Sequence, residues 1–310
     1  MVAAIIDCGT NTFNLLVAEF EPNGQHNIIL TTKKCVKLGE NGFSSNHIAP
    51  QAFRRGVKAF CELVDIAREH KVDTIKAFGT SAVRSTQNGP DFVKKILDKT
   101  GIIIQVLNGD TEAQYIFKGV NLALEKIDEP MLIMDIGGGS TEFIIAEDQQ
   151  VIWKKSFDLG ASRLLQEFQP QDPVTPTDID NIKSHFRSIL APLNTQLKKN
   201  PVNVLIGCSG SFESLADMIR AKNGDTTPRE RFYQFDNDEL KSLYQILINS
   251  TEKERKAMPG LVEYRADTIV YASILIRHIK KRFKIDQMYY SSYALKEGIL
   301  SDMINHKIAI

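Results

Sequence analysis

The chain carries little that would mark it for a membrane, an oxidising compartment or a nucleic acid. Its 310 residues hold four cysteines, Cys8, Cys35, Cys61 and Cys208, with no paired or metal-type spacing. Such scattered thiols imply a reduced compartment and exclude a disulfide framework or a cysteine-held metal. An excess of one charge is missing too, since 38 Lys and Arg balance 38 Asp and Glu. Without a global field to gather polyanions, any that bind must be held by a local site. No stretch approaches the ~18 apolar residues of a membrane span. The N-terminal MVAAIIDCGT has no basic leader, and Asp7 cuts its apolar run too early for a signal peptide. These absences predict a cytoplasmic protein with neither nucleic acid nor membrane as a partner.

What is present is a core-forming composition, 43% hydrophobic and 25% charged, at a length that favours about two domains. In the first third, short β-branched runs at 2–7, 15–20, 26–35, 74–78 and 102–107 read as strands. Phe53, Val57, Phe60, Val64 and Ala67 repeat at helical spacing over 51–70. Three strands precede the first helix and strands then alternate with helices, an order that suggests a mixed α/β sheet. From residue 131 the pattern restarts with strands at 131–136, 142–148 and 151–157, helices near 159–168 and 177–197, and a strand at 203–207. The polar stretch 220–234 reads as a loop, and a long helical pattern runs from Arg265 to Arg282. Segment 124–130, LEKIDEP, is the expected crossover between two copies of one unit.

The duplication is visible in the residues. AAIIDCGTNTFNLLVAEF and MLIMDIGGGSTEFIIAED each run apolar strand, Asp, any residue, Gly, small hydroxyl-bearing loop, Phe, apolar strand. Asp7 matches Asp135 and Gly9 matches Gly137; matching the phenylalanines gives the second loop two extra residues. Glycines allow close ligand approach and let successive amides converge on an anion, while Ser140 and Thr141 add hydroxyl donors. Asp135 cannot itself attract a phosphate; its natural partner there is Mg²⁺. A lone Gly-rich turn is as readily a plain hairpin. Two in register, each following an Asp at the end of a buried strand, favour a phosphate clamp.

These loops resemble those of the actin, Hsp70 and sugar-kinase superfamily. With GTSAVRSTQNG (79–89), NGDTEAQYIFKGV (108–120), DLGASRL (158–164), RADTIVYASILI (265–276) and YALKEGIL (293–300), the chain resembles the Ppx/GppA family of exopolyphosphatases and guanosine pentaphosphate phosphohydrolases along essentially its whole length, in the short two-domain form. The resemblance implies two duplicated actin-like (ribonuclease H-like) α/β domains with a cleft between them, 1–124 with the C-terminal helix 295–310, and 125–294. It implies phosphate binding by Gly9, Thr10, Asn11, Thr12, Arg84, Gly137, Gly138, Gly139, Ser140 and Thr141, catalysis by Glu112, Asp135 and Glu142, and Mg²⁺ held near Asp7, Asp135 and Glu142. It also implies a homodimer. Many relatives have arginine where this chain has Asn14 and Lys296, and a second carboxylate where it has Thr111. Asn14 removes one cation that a long polyanion would meet.

The expected chemistry is hydrolysis of terminal phosphoanhydride bonds. On that resemblance, loop amides and Arg84 would stabilise the phosphoryl oxygens, Mg²⁺ near Asp135 and Glu142 would neutralise their charge, and Glu112 would orient or deprotonate the attacking water. Inorganic polyphosphate is the favoured substrate, with guanosine pentaphosphate as the alternative and an actin-like kinase or ATPase as a second alternative. The same residues serve the first two.

Overall fold

The computed structural model describes residues 1–21, 26–124, 129–228 and 230–305. They divide into two compact units, Met1–Leu122 with the C-terminal helix from Leu295, and Ala123–Ala294. Of the expected crossover 124–130, residues 125–128 lie outside the described residues, as do 306–310 of the C-terminal segment.

The first unit is built on a sheet whose central strand β1 (Val2–Cys8) buries Ala3 to Ile6 without interruption, as a strand covered on both faces must. It pairs antiparallel with β2 (Thr12–Phe20), which pairs with the edge strand β3 (His26–Cys35). In β3 the burial alternates residue by residue, the mark of one covered face. Helix α1 (Pro50–Glu69) starts with Pro at its first turn and presents Ala52, Gly56, Ala59, Phe60, Leu63, Val64 and Ala67 to the core. Strand β4 (Thr74–Gly79) then runs parallel to β1. The short α2 (Ser81–Arg84), α3 (Gly89–Thr100), strand β5 (Ile104–Val106) and α4 (Gly109–Ala123) follow. The sheet order is β3-β2-β1-β4-β5. Phe92 of α3 stands at its centre, edge-on to Phe13 and Phe53.

The second unit repeats this plan. Strand β6 (Met131–Ile136) is buried at every position and pairs with β7 (Thr141–Glu147), which pairs with β8 (Gln150–Phe157). Helices α5 (Ala161–Phe168), α6 (Pro176–Ile189) and α7 (Ala191–Lys199) lead to β9 (Val204–Cys208), parallel to β6. After α8 (Ser209–Lys222) come strand β10 (Phe232–Gln234), α9 (Asn237–Asn249), α10 (Glu252–Lys256), α11 (Ile269–Phe283) and β11 (Gln287–Ser291). Read from β8, the order β8-β7-β6-β9-β11 copies that of the first sheet, with β10 added antiparallel at the edge. The polar stretch 220–234 thus contains the end of α8 and an edge strand, and the helix expected over 177–197 breaks at Leu190. The final helix α12 (Leu295–Ile304) belongs to the first unit, where Lys118 of α4 forms an ion pair with Asp302 (2.5 Å).

The registers correct one sequence alignment. Cys8 pairs with Phe13 and Ile136 with Thr141, so each hairpin encloses four loop residues. The loops are equal in length, and Phe13 corresponds to Thr141 rather than Phe143. With Asp7 opposite Asn14 and Asp135 opposite Glu142, one offset of 128 relates the two hairpins. It also relates their irregularities, which fall between Val17 and Ala18 and between Ile145 and Ala146.

Candidate active site

In the first unit the parallel strands β1, β4 and β5 end together. Cys8 pairs with Gly79 and Gly79 with Val106. From these carboxyl ends emerge the loop 9–12, helix α2 and the start of α4, the place where an open α/β sheet binds its ligand. The Gly9 amide donates to the Thr12 carbonyl (3.1 Å), closing the loop. The outward turn of its carbonyls is imposed from behind, since Thr10 O accepts from the Gly39 amide and Asn11 O from those of Val36 and Lys37. Arg55 braces that backing segment through the carbonyls of Val36 and Lys37 and the carboxylate of Glu40. Asp7 accepts from Asn14 Nδ2 (3.0 Å). Burial, with Asp7 adjacent, pushes the Cys8 thiol well above its usual range, so it stays neutral.

Arg84, at the end of α2, donates through Nη1 to the Leu107 carbonyl (2.9 Å) and to Glu112 Oε2 (2.6 Å). Glu112 is 6% exposed in the first turns of α4, whose start is tied by Asn108 Oδ1 accepting from the Thr111 amide. Two residues that the sequence placed in different motifs are therefore one charge-assisted pair. Nε and Nη2 of Arg84 donate to no described residue and form a planar pair of donors, the fork that suits an oxyanion.

The second loop uses the same construction with barer backbone. The Gly137 amide donates to the Ser140 carbonyl (3.0 Å). Gly137 O accepts from the Ala161 amide, and Gly138 O from those of Ser162 and Arg163, so the N-terminus of α5 holds the loop carbonyls. Arg163 Nε adds a bond to Gly139 O (2.9 Å). The amides of Gly138, Gly139 and Ser140 make no hydrogen bond among the described residues. With the carbonyls drawn back, these are three successive amides of the kind that can converge on an anion. Thr141 is fully buried, and its hydroxyl donates to the Leu159 carbonyl, tying β7 to the chain beneath the loop.

At the base of this loop Asp135 and Glu142 face each other across β6 and β7, both at least 94% buried. Two carboxylates directly opposite repel one another unless something bridges them. Asp135 Oδ2 accepts from Ser209 Oγ (2.7 Å), and Glu142 Oε1 from Ser156 Oγ (2.6 Å). Ser209 holds a left-handed backbone (φ 63°), which costs about 1 kcal/mol for a residue with a Cβ. Neither serine's contact is legible in the sequence, because each depends on strand pairing: Ser209 follows β9, which pairs with β6, and Ser156 lies on β8, which pairs with β7. Arg163 is legible only as part of DLGASRL. In the first unit the position corresponding to Glu142 is Asn14, so the carboxylate pair occurs on the second loop and a carboxylate–amide pair on the first.

The description Ppx/GppA phosphatase family matches residues 16–307. Exopolyphosphatase 2 of Mycobacterium tuberculosis is 26% identical over 308 residues, covering 96% of each chain. The crystal structure of an exopolyphosphatase from Cytophaga hutchinsonii superposes with a TM-score of 0.95 at 34% identity, covering 99% of this chain and 98% of that one. The Aquifex aeolicus Ppx/GppA protein shares the fold at a TM-score of 0.79 and 22% identity, covering 100% and 99%. The two repeated α/β units are thus actin-like domains, and the chain belongs to the Ppx/GppA phosphatase family, as a hydrolase of phosphoanhydride bonds.

Proposed function

We propose that this chain is a Mg²⁺-dependent exopolyphosphatase that removes terminal phosphate from inorganic polyphosphate. The observation that carries this reading is the second loop, whose carbonyls are tied to α5 while three successive amides remain for phosphoryl oxygens. Relatives named exopolyphosphatase over nearly the full length support the same substrate. The donor set suits Mg²⁺, which favours hard oxygens and is commonly held by one or two carboxylates plus substrate phosphates. Asp135 and Glu142, opposed and buried, supply such a pair. When bound, the ion would neutralise charge on the transferred phosphoryl group.

The residues divide the remaining work. In the first unit the two remaining nitrogens of Arg84 are donors for phosphoryl oxygens, and in the second unit the loop amides are another such donor set. Glu112, fixed by Arg84, accepts a hydrogen bond from the attacking water and aims it in line. A loose, metaphosphate-like transition state asks more of this placement than of proton removal. Ser209 and Ser156 hold the carboxylates that would carry the ion.

The test is to incubate the protein with long-chain polyphosphate, guanosine pentaphosphate and ATP, with Mg²⁺ and with excess chelator. Released phosphate and remaining chain length are then measured. The expected result is Mg²⁺-dependent release from chain ends of polyphosphate at a kcat/KM above that for both nucleotides. Preferential conversion of guanosine pentaphosphate to the tetraphosphate would assign the other activity of the family.

A further inference from the structure

A second concavity lies in the Ala123–Ala294 unit among α8, α9 and α11, enclosing about 520 Å³ with its open mouth included. Its floor is apolar, formed by Leu215, Leu240, Tyr244 and Ile276, while Lys241, Arg277, Lys280 and Lys281 line it with four cations and no carboxylate. It stands apart from the glycine loop. Lys280 Nζ reaches the carbonyl of Asp286, just before β11, whereas Ser291 at the far end of β11 is in register with Cys208 and so with Asp135. Five strand residues separate these ends by about 15 Å.

The four cations form no salt bridge to a carboxylate among the described residues. Lys280 donates only to neutral acceptors, Asn237 Oδ1 (3.0 Å) and Asp286 O (3.2 Å), and burial lowers its pKa against the opposing pull of the Asp286 carboxylate. Arg277 lies over the Tyr244 ring at 4.4 Å. Lysines in the last turn of a helix also answer its dipole. That does not account for Lys241 on α9, or for Arg277 a turn earlier, converging on the same apolar floor.

Charge and floor together define the ligand. A bare polyphosphate would satisfy the cations but leave Leu215, Leu240 and Ile276 facing a strongly hydrated chain. A nucleobase needs several hydrogen-bonding partners for its edge, and few are offered: Asn237 Nδ2 donates to Asp286 O, its Oδ1 accepts from Lys280, and Ser273 donates to Ile269 O, which leaves the Tyr244 hydroxyl. We propose that this pocket binds a small amphipathic anion, with a carboxylate or phosphate-monoester head among the cations and a short alkyl tail on the apolar floor.

Calorimetric titration of the full chain with octanoate and with octyl phosphate tests this, and the comparison of the two probes assigns the head group. The expected result is saturable one-to-one binding of at least one probe, strengthened as the tail lengthens from hexyl to octyl. The exposed double variant K241Q/K281Q should weaken it about tenfold or more, since a charge-assisted contact contributes of the order of a tenfold change in Kd. Leu240→Asn should abolish the dependence on tail length, with the thermal midpoint of both variants checked against the parent. The proposal is overturned by absence of saturable binding, by octanol binding as tightly as octanoate, by pyrophosphate matching either probe, or by folded variants that bind like the parent.

Discussion

At the scale of single residues, Glu112 and Arg84 make each other useful. Alone, a buried carboxylate is costly and a guanidinium is free to swing. Paired at 2.6 Å, with Leu107 O sharing the same nitrogen, the carboxylate is held in one orientation and the guanidinium keeps two nitrogens that donate to no described residue. Glu112→Gln preserves shape but removes the negative charge that the proposed mechanism uses to orient water. Phosphate release should fall by roughly two orders of magnitude or more. Polyphosphate binding, measured directly by titration, should hold or tighten because a nearby negative charge is gone. A variant that turns over at the parental rate would reduce Glu112 to a prop for Arg84. Burial makes a different prediction for His278, packed edge-on to Phe186 and pushed down to about 4 by desolvation and by Arg282, Arg187 and Lys183. Its folded form binds a proton less readily than the unfolded chain, whose imidazole titrates near 6.5. Stability from this group is complete above pH 6.5 and is lost as pH falls toward 4. The thermal midpoint of His278→Phe should therefore fall less steeply over that interval than the parent's.

At the scale of elements, each hairpin loop is backed by a glycine. A Cβ at Gly39 would stand 2.7 Å from the Thr10 methyl, and one at Gly160 would stand 2.3 Å from the Gly138 carbonyl and 2.4 Å from the Gly139 nitrogen. Gly160→Ala should push the second loop forward, raising KM for polyphosphate several-fold and destabilising the protein by about 1–3 kcal/mol. Paired activity and denaturation measurements would read both, and an unchanged KM would show the loop indifferent to its backing. These supports mark where the sequence stopped being legible. The strands around Asp7 and Asp135 could be read because buried β-branched runs ending in Asp-x-Gly are local patterns. Aligning Phe13 with Phe143 misled by two residues, since identical letters attracted the match while the fold preserved strand register and buried Thr141 at the position of Phe13. Strand β10 was hidden because three residues carry no period. The break at Leu190 has a local cause in the sequence, Pro192, which cannot donate to a continuing helix. Ser209 was unreadable because its contact with Asp135 depends on the long-range pairing of β9 with β6.

At the scale of the whole chain, one plan is used twice and then differentiated. Strand order, hairpin length and bulge position repeat, while the residue opposite the loop Asp changes from Asn14 to Glu142 and the outer parallel strand gains β10 in the second unit only. The first unit is completed from a distance, by α12 returning onto β1 and α4. That return is specific. Gly298 lies where a Cβ would meet the Tyr115 carbonyl at 1.8 Å, and Lys118 grips both oxygens of Asp302 at 2.5 and 2.7 Å. Asp302 is 7% exposed, so the pair is set where a lone charge is poorly solvated. Lys118→Met should destabilise the protein by about 3 kcal/mol, chiefly by stranding the carboxylate. Replacing both partners, as Lys118→Met with Asp302→Leu, removes the stranded charge and should recover most of that loss. The double-mutant cycle in denaturant should therefore give a coupling energy of about 2–3 kcal/mol. Additive losses would mean that apolar packing of Leu295, Ile299, Leu300 and Met303 holds α12, and that the ion pair sets only its register against α4.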